Sequence, residues 1–375
     1  MFFSVRVEIA IQVLLLACIL TGCCKTVEQA FLQKDSAVRT PLEPIYLTFF
    51  CHNEADEPYW QGLRHNWQQY NAYRTGLVAK VRLLKQYGAV LNWQADHTVL
   101  EAMHAYERGD LLKTTNNKHI LVWMVEDMGM RVDPHGHLTE YNYADLAYLI
   151  EQMGVTPSTV LGGFALYECA ATGKTLRQIN WKKLLEINDD GTIRGRRFPH
   201  YVWSPKLLEQ PAMIGHGYDE CSSGVWHPAE DVDFGAHQLQ GRFTCVGTGY
   251  PFQSRSFKAV HDAPAMLYGN KDYILELLDK IESGKAPAGL IYTASIHFPD
   301  ISSPESIANL KEMLVFLDPF VKSGRIIYQD YESVFKIWKE KYQGQPNRFG
   351  IENFRLHEAL MRELEDFCSR IELGG

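Results

Sequence analysis

Short apolar runs alternate with longer segments of helical periodicity from about residue 45 to residue 342. Apolar runs bounded by polar clusters are typical of buried strands, and an apolar position every three to four residues predicts helices. The predicted strands are Ile45–Cys51, Ala89–Gln94, Met128–Asp133, Thr159–Phe164, Gly289–Ile296 and Arg325–Tyr328. The predicted helices are Tyr70–Tyr87, Thr98–Glu107, Tyr143–Met153, Ile274–Ile281, Pro304–Leu317 and Glu332–Tyr342. This alternation predicts parallel β-α-β units, and therefore the α/β class.

Two segments do not follow this rhythm. Residues 175–260 are rich in Gly, Pro, Trp and His, and we predict that they form an inserted, elaborated set of loops over one end of a barrel. Residues 346–375 are predicted to form a C-terminal helix that packs on the outside of the domain formed by residues 45–345.

The first 22 residues have the pattern of an export signal. One arginine precedes an almost wholly apolar run from Ile9 to Leu20, which is too short to cross a hydrocarbon layer of about 30 Å as a helix. Residues 20–23, L-T-G-C, resemble the lipobox of bacterial lipoproteins, which implies cleavage before Cys23 and attachment of a lipid to its sulfur. Residues 23–44 would then be a tether. Because residue 24 is Cys rather than Asp, the resemblance favours a periplasm-facing protein anchored in the outer membrane; an ordinary secretory signal is the alternative.

Composition and charge narrow the classes of function. The chain has 375 residues, of which 46% are hydrophobic and 22% charged, as in a globular protein with one large barrel or two domains. A formal net charge of −8 without long runs of Lys and Arg argues against a nucleic-acid partner. The sequence contains no G-x-G-x-x-G, Walker-A or G-x-S-x-G motif, so it predicts neither a nucleotide cofactor nor a serine esterase.

Histidines at the ends of predicted strands indicate a metal site. His52 and Glu54 follow the first strand directly, and His135 and His137 follow the third. Residues i and i+2 of an extended chain point to the same face, so each pair directs both side chains to one point. Three imidazoles and one carboxylate suit zinc or a similar divalent ion. We therefore predict a metal site formed by these four residues at the carboxyl end of the strands; two ordinary polar loops are the alternative.

His297 is a candidate general acid. It ends the strand-like run GLIYTASIH, again at the carboxyl end of a strand. The pKa of an unperturbed imidazole lies near neutrality, so a histidine at this position can protonate a leaving group. A hydrogen-bonded structural histidine is the alternative.

The motifs follow one another as YLTFFCHNEADEP, GAVLNWQADH, MGMRVDPHGHLTEYNYADL, SSGVWHPAEDVDF and LIYTASIHFPD. From about Ile45 to Tyr342 this order resembles the NodB-type polysaccharide deacetylase group of the glycoside hydrolase/deacetylase superfamily. The resemblance implies a distorted (β/α) barrel of about seven strands. It also implies a divalent metal ion, with zinc preferred, and removal of an acetyl group, as amide or ester, from a cell-envelope or extracellular carbohydrate. The late motif of the family supplies the general acid, which corresponds to His297.

The chain departs from the family pattern at several motif positions. His52-Asn53-Glu54 stands where the family has adjacent aspartates, and H-x-H replaces H-x-x-x-H in the second motif. Glu54 is therefore either a metal ligand or the general base, and Asp56 and Asp133 are further candidates for the base.

Trp93 and Trp226 are predicted to bind the substrate by stacking on sugar rings, with packing in the core as the alternative. Two functions compete with carbohydrate deacetylation. A glycoside hydrolase on the same fold would require a pair of carboxylates, and a catalytically silent envelope lipoprotein would only bind glycan.

Overall fold

The computed structural model describes residues 42–53, 62–136, 140–163, 181–209, 222–230, 234–249, 271–297 and 304–350. The predicted export signal and lipidation site Cys23, the predicted ligands Glu54 and His137, and residues 351–375 lie outside these ranges. Contacts between residues divide the chain into two units, Met1–Leu42 and Glu43–Gly375, and the strands and helices below belong to the second unit. Within the described ranges, no helix combines the length and apolar character needed to cross a membrane.

The described elements alternate between strand and helix as the sequence predicts. The strands are β1 (Ile45–Asn53), β2 (Leu91–Ala95), β3 (Arg131–Pro134), β4 (Val160–Leu161), β5 (Ile193–Arg194), β6 (Val202–Trp203), β7 (Leu207–Glu209), β8 (Ser222–Ser223), β9 (Val225–Trp226), β10 (Thr244–Val246), β11 (Tyr292–His297), β12 (Ile326–Tyr328) and β13 (Phe349–Gly350). The α-helices are α1 (Trp67–Gln86), α2 (His97–Tyr106), α3 (Ile120–Val122), α4 (Tyr143–Gln152), α5 (Trp181–Leu184), α6 (Lys271–Glu282), α7 (Pro304–Lys322) and α8 (Tyr331–Lys341). Short 3₁₀ turns cover Leu63–His65 and Gly109–Thr115, and α3 continues into a π turn over Trp123–Asp127. The six strands and six helices predicted between residues 45 and 342 are all present, with their ends shifted by a few residues.

Parallel pairing organises most of the strands. The main sheet has the order β11-β1-β2-β3, and β12 lies beside the first half of β1. A second sheet has the order β4-β7-β10-β9, in which only β9 is antiparallel to its neighbour. A bridge between His135 and Gly162 joins β3 to β4, and the Ser295 N–H donates to the carbonyl of Thr248 at 2.9 Å, which joins β11 to the residues after β10. The α/β class with a parallel sheet is thus confirmed. The described strands form these two sheets and two antiparallel pairs, β5-β6 and β8-β13, and no closed barrel is detected among them.

The strands of the main sheet have one apolar and one polar face. Leu47, Phe49 and Cys51 of β1 belong to the main buried cluster, together with apolar side chains of α1, α2 and α7. The alternate residues of β1 point to the other side of the sheet. His52 pairs there with Gln94 of β2, which pairs in turn with Asp133 of β3. This second face is buried as well, so its polar groups need partners within the protein.

Two predictions about irregular segments were wrong in part. Residues 175–260 were predicted as loops, but they contribute β7 and β10, which lie parallel beside β4 in the second sheet. Phe349 and Gly350, predicted within the C-terminal helix, form β13 and pair antiparallel with β8. The ring of Phe349 packs edge-on against Tyr292 of β11 with 5.6 Å between centroids, and this contact favours the extended form.

Candidate active site

Three histidines meet at the carboxyl ends of the parallel strands. His52 is the penultimate residue of β1, His135 follows β3 directly, and His297 ends β11. The ring centroid of His52 lies 4.3 Å from that of His135 and 4.4 Å from that of His297. His52 and His297 are 7% and 6% exposed, whereas His135 is fully buried. The cluster is therefore buried at the carboxyl ends of the strands, and only His52 and His297 have some exposed surface.

The sheet register explains the position of His297. Phe50 and His297 are paired residues of β1 and β11, so their side chains point to the same side. Their rings stack at 4.8 Å with an angle of 6° between the planes. Because β1 also carries His52 two residues later, the pairing places the imidazole of His297 beside that of His52.

A carboxylate that the sequence analysis did not single out lies against this cluster. Glu209 ends β7 and is 2% exposed. Its Oε2 lies 3.7 Å from Nε2 of His52 and accepts hydrogen bonds from Nε2 of Gln94 at 2.7 Å and from the N–H of Gly163 at 3.0 Å. The signal in the sequence is the pair Leu207-Leu208 before a carboxylate, which is too short a run to identify a strand within a segment rich in Gly and Pro.

Asp133 lies beneath the cluster and not at its surface. Its Oδ1 accepts a hydrogen bond from the Ser158 hydroxyl at 2.5 Å, and its Oδ2 accepts bonds from Nδ2 of Asn92 at 2.7 Å and Nε2 of Gln94 at 3.4 Å. Burial raises the pKa of Asp133 to about 7, against the hydrogen bonds of Ser158 and Asn92, which lower it. With no exposed surface, this carboxylate cannot take a proton from a bound water or substrate. The structure therefore corrects the prediction of Asp133 as a catalytic base.

Two glycines after β4 let the backbone approach the site closely. A Cβ at Gly162 would lie 2.5 Å from the amide carbon of Gln94, and one at Gly163 would lie 2.8 Å from Nε2 of His52 and closer still to the ring of His135. Gly163 also has a φ of +55°, which side chains rarely adopt. Glycine is therefore required at both positions so that the second sheet can approach the histidine cluster.

Of the four predicted metal ligands, the structure brings His52 and His135 together, while Glu54 and His137 lie outside the described residues. Within the described part of the chain, no group of three or more His, Cys, Asp or Glu side chains is arranged to hold a metal ion. The metal site thus stays a prediction.

The two predicted sugar-binding tryptophans lie in the core. Trp93 has no exposed surface and its indole N–H donates to the hydroxyl of Tyr73 at 3.2 Å. Trp226 is 1% exposed and its indole N–H donates to the carbonyl of Phe234 at 3.0 Å. Neither ring has a free face on which a sugar could stack, so the prediction of both as substrate-binding residues was wrong. Each tryptophan instead fills a hydrophobic cluster.

No protein-family model and no curated protein matches the chain. Among solved structures it is similar to a probable polysaccharide deacetylase from Pseudomonas aeruginosa, with 13% identity and a TM-score of 0.44 over 83% of this chain and 98% of that one. A 4-alpha-glucanotransferase from Thermococcus litoralis has 10% identity and a TM-score of 0.39 over 79% of this chain and 40% of that one. A GH57 branching enzyme from Thermococcus kodakaraensis has 11% identity and a TM-score of 0.38 over 78% of this chain and 70% of that one. At these identities and scores, the similarities do not assign the chain to a family.

Proposed function

We propose that the chain is a metal-dependent hydrolase that removes an acetyl group from a carbohydrate. The observation that carries this proposal is the convergence of His52, His135 and His297 from three separate strands. Such a buried cluster at the carboxyl edge of parallel strands is typical of a catalytic centre. The order of sequence motifs that resembles the polysaccharide deacetylases supports the choice of substrate.

The donor types at this cluster fit a divalent cation. Imidazole nitrogens are among the preferred ligands of zinc, and the buried carboxylate of Glu209 lies 3.7 Å from His52 Nε2, so the surroundings favour positive charge. His52 and His135 are the proposed ligands within the described residues, and Glu54 and His137 are those proposed from the sequence. The chemistry that the cation supplies when bound is activation of water and polarisation of the acyl carbonyl.

His297 is proposed as the general acid. Its ring stacks on Phe50, which holds the imidazole at the margin of the cluster, 4.4 Å from the ring of His52. A proton on this imidazole is transferred to the amine or hydroxyl group that leaves when the acetyl group is removed. With Asp133 buried, Glu54 and Asp56 remain the candidates for the carboxylate that receives the proton of the attacking water, and Asp56 takes this role where Glu54 is a metal ligand.

The carboxylates beneath the cluster do not favour a glycoside hydrolase. Such an enzyme places two carboxyl groups on either side of a glycosidic bond. Glu209 and Asp133 both accept hydrogen bonds from Nε2 of Gln94, so the side chain of Gln94 occupies the space between them. This pair therefore cannot enclose a sugar linkage.

Acetate release from acetylated chitooligosaccharides and peptidoglycan fragments tests the proposal. The purified full chain with zinc is expected to release acetate, and His297→Gln is expected to lower kcat by about 10²- to 10⁴-fold without changing the zinc content. His200→Gln, an exposed histidine on another segment, is the control and should keep full activity. Zinc-loaded protein that releases no acetate, or a His297→Gln variant with unchanged kcat, would contradict the proposal.

The lipid anchor at Cys23 and the location in the bacterial envelope complete the proposal. Both rest on the sequence of residues 1–23. The mass of the chain purified from membranes tests them, because lipidation after cleavage predicts a diacylglyceryl-modified Cys23 as the first residue; an unmodified Cys23 would rule out the anchor.

A further inference from the structure

We propose that His97 binds the carbohydrate substrate through Nε2 and that Asp96 positions its imidazole. This inference rests on the proposed function and adds to it a residue that contacts the substrate. The ligand group is a sugar hydroxyl, which donates a hydrogen bond to Nε2. Asp96 and His97 are the last two residues of the motif GAVLNWQADH, and neither was singled out from the sequence.

The Asp96–His97 pair follows β2 at the edge of the main sheet that carries the histidine cluster. Ala95, the last residue of β2, pairs with residues of both β1 and β3. The N–H of Asp96 donates to the carbonyl of Asn53 in β1 at 3.0 Å, and the N–H of His135 donates to the carbonyl of Ala95 at 3.2 Å. Neighbouring strands lie about 4.8 Å apart, so one ligand can contact residues that follow β1, β2 and β3.

Asp96 fixes the orientation of the imidazole. Its Oδ1 accepts hydrogen bonds from the backbone N–H of His97 at 2.5 Å and from Nδ1 of the ring at 2.8 Å. Because a carboxylate accepts hydrogen bonds, Nδ1 carries the hydrogen, and Nε2 of the neutral ring is an acceptor. Among the residues that the structure describes, no hydrogen bond reaches Nε2 of His97. A sugar hydroxyl is a donor of the kind that this nitrogen requires.

An aromatic contact holds the imidazole from its face. The ring of His97 stacks on that of Tyr141, with 4.5 Å between centroids and 17° between the planes. The Tyr141 hydroxyl donates to Oε1 of Glu101 at 2.7 Å, and Nη1 of Arg64 donates to Oε2 of the same carboxylate at 2.6 Å. A side chain that is fixed in this way before binding loses little conformational entropy when a ligand binds.

Capping of α2 explains only part of this arrangement. The bond from the backbone N–H of His97 to Asp96 satisfies the helix terminus without the imidazole. The second bond, from Nδ1, restricts the ring and directs Nε2, as in histidines whose other nitrogen acts on a ligand. His97 is 6% exposed, as is His297, so a part of the residue stays accessible at this edge of the sheet.

Binding of chitotetraose, the tetramer of N-acetylglucosamine, tests the inference. Titration calorimetry on the full chain with a chelator gives Kd without turnover, and acetate release by the zinc-loaded chain gives KM and kcat. His97→Phe keeps a ring against Tyr141 but has no nitrogen, and His104→Phe, exposed near the other end of α2, is the matched control. We expect His97→Phe to raise Kd and KM about 5- to 100-fold with kcat nearly unchanged, and the control to bind as the parent chain does.

Asp96→Asn tests the positioning role of Asp96. Asparagine keeps an oxygen for the N–H of His97, but it replaces the charge-assisted bond to the ring by a neutral one. We expect this change to weaken chitotetraose binding about 3- to 10-fold. Because Asp96 acts through His97, the same substitution should have no further effect in His97→Phe. An equal loss in that background would contradict the positioning role.

The outcomes separate the inference from the proposed function. If the parent chain releases acetate and His97→Phe has unchanged Kd and KM, the inference is overturned and the proposed function stands. A parent chain that binds chitotetraose but releases no acetate contradicts the proposed function, and Kd alone then decides for His97. A parent chain that does not bind chitotetraose overturns the inference. Should circular dichroism show that His97→Phe does not fold, Asp96→Asn decides, and an affinity equal to that of the parent chain overturns the inference.

Discussion

Gly163 follows β4 with a φ of +55° and lies against both His52 and His135. Any side chain at this position meets two obstacles, the unfavourable backbone conformation and the imidazole rings. A side chain at Gly163 therefore has two effects: backbone strain and a clash with the histidine rings. Comparison with a glycine that has a positive φ but no close neighbour separates the two effects.

We expect Gly163→Ala to destabilise the protein and to weaken zinc binding, because the new methyl group must displace the ring of His135 or His52. Gly289→Ala is the control, since Gly289 has a φ of +75° and no atom within 4 Å of its Cβ position. Gly289→Ala should lower the free energy of unfolding by about 1–2 kcal/mol, which is the effect of the positive φ alone. Urea denaturation and zinc titration of both variants provide the measurement; equal losses in the two would show that Gly163 does not contact the site histidines.

Among the elements, helices begin where the sequence offers a side-chain cap. Asn66, Asp96, Asn142 and Asp330 cap α1, α2, α4 and α8 by accepting a backbone N–H. The carboxylate of Asp145 in the first turn of α4 also accepts the N–H groups of residues 196–198, which fixes the loop after β5. These local bonds explain why the helices were predictable from short stretches of sequence.

His119 caps α3 in a different way, and this gives a prediction about pH. Its Nδ1 accepts the N–H of Leu121 at 3.2 Å, which requires an unprotonated nitrogen. Burial lowers the pKa of His119 below the ordinary 6.5; the charges of Arg74 and His104 also lower it, and that of Glu107 opposes them. The unfolded chain therefore takes up a proton at a higher pH than the folded chain does. Stability due to this group is full above the unfolded pKa and is lost as the pH falls below it.

We expect protonation of His119 to lower the free energy of unfolding between about pH 7 and about pH 5, and His119→Asn to lack this contribution. The measured quantity is the difference between the variant and the parent chain, because Asp133, whose pKa burial raises to about 7, acts in the opposite direction in both. Asparagine keeps an acceptor for the Leu121 N–H but cannot be protonated there. Other groups still contribute to the slope in the variant, because burial also lowers the pKa of His227 and His237. Denaturation at a series of pH values measures the effect, with the exposed His200→Asn as control; identical slopes for His119→Asn and the parent chain would exclude the role given to His119.

Sequence patterns identified the long elements but missed the short strands β7 and β10. Apolar runs of β1 and β11 and the helical periodicity of α1 and α7 extend over enough residues to be recognised. In contrast, β7 and β10 have three residues each. They owe their conformation to pairing, since β7 lies between β4 and β10, and β10 lies between β7 and β9. For the same reason the sequence did not reveal Glu209, whose position depends on a strand that only the tertiary structure defines.

At the scale of the whole molecule, the parallel arrangement brings distant residues to one edge. His52, His135 and His297 were predictable because each follows or ends a recognisable strand, and parallel strands end on the same side. Trp93 and Trp226 were misassigned because a tryptophan in a sequence gives no sign of whether its ring is covered. In the fold, both rings are buried in hydrophobic clusters.

The central claim is that the ends of β1 and β3 share one cation, held by His52 and His135. A crystal structure of the zinc-loaded chain, with anomalous scattering data collected at the zinc absorption edge, tests it most directly. We expect one anomalous peak bonded to nitrogen atoms of both imidazoles, at about 2.0–2.1 Å. A protein that binds zinc only elsewhere, with the two imidazoles in contact and no peak at either, would contradict the account.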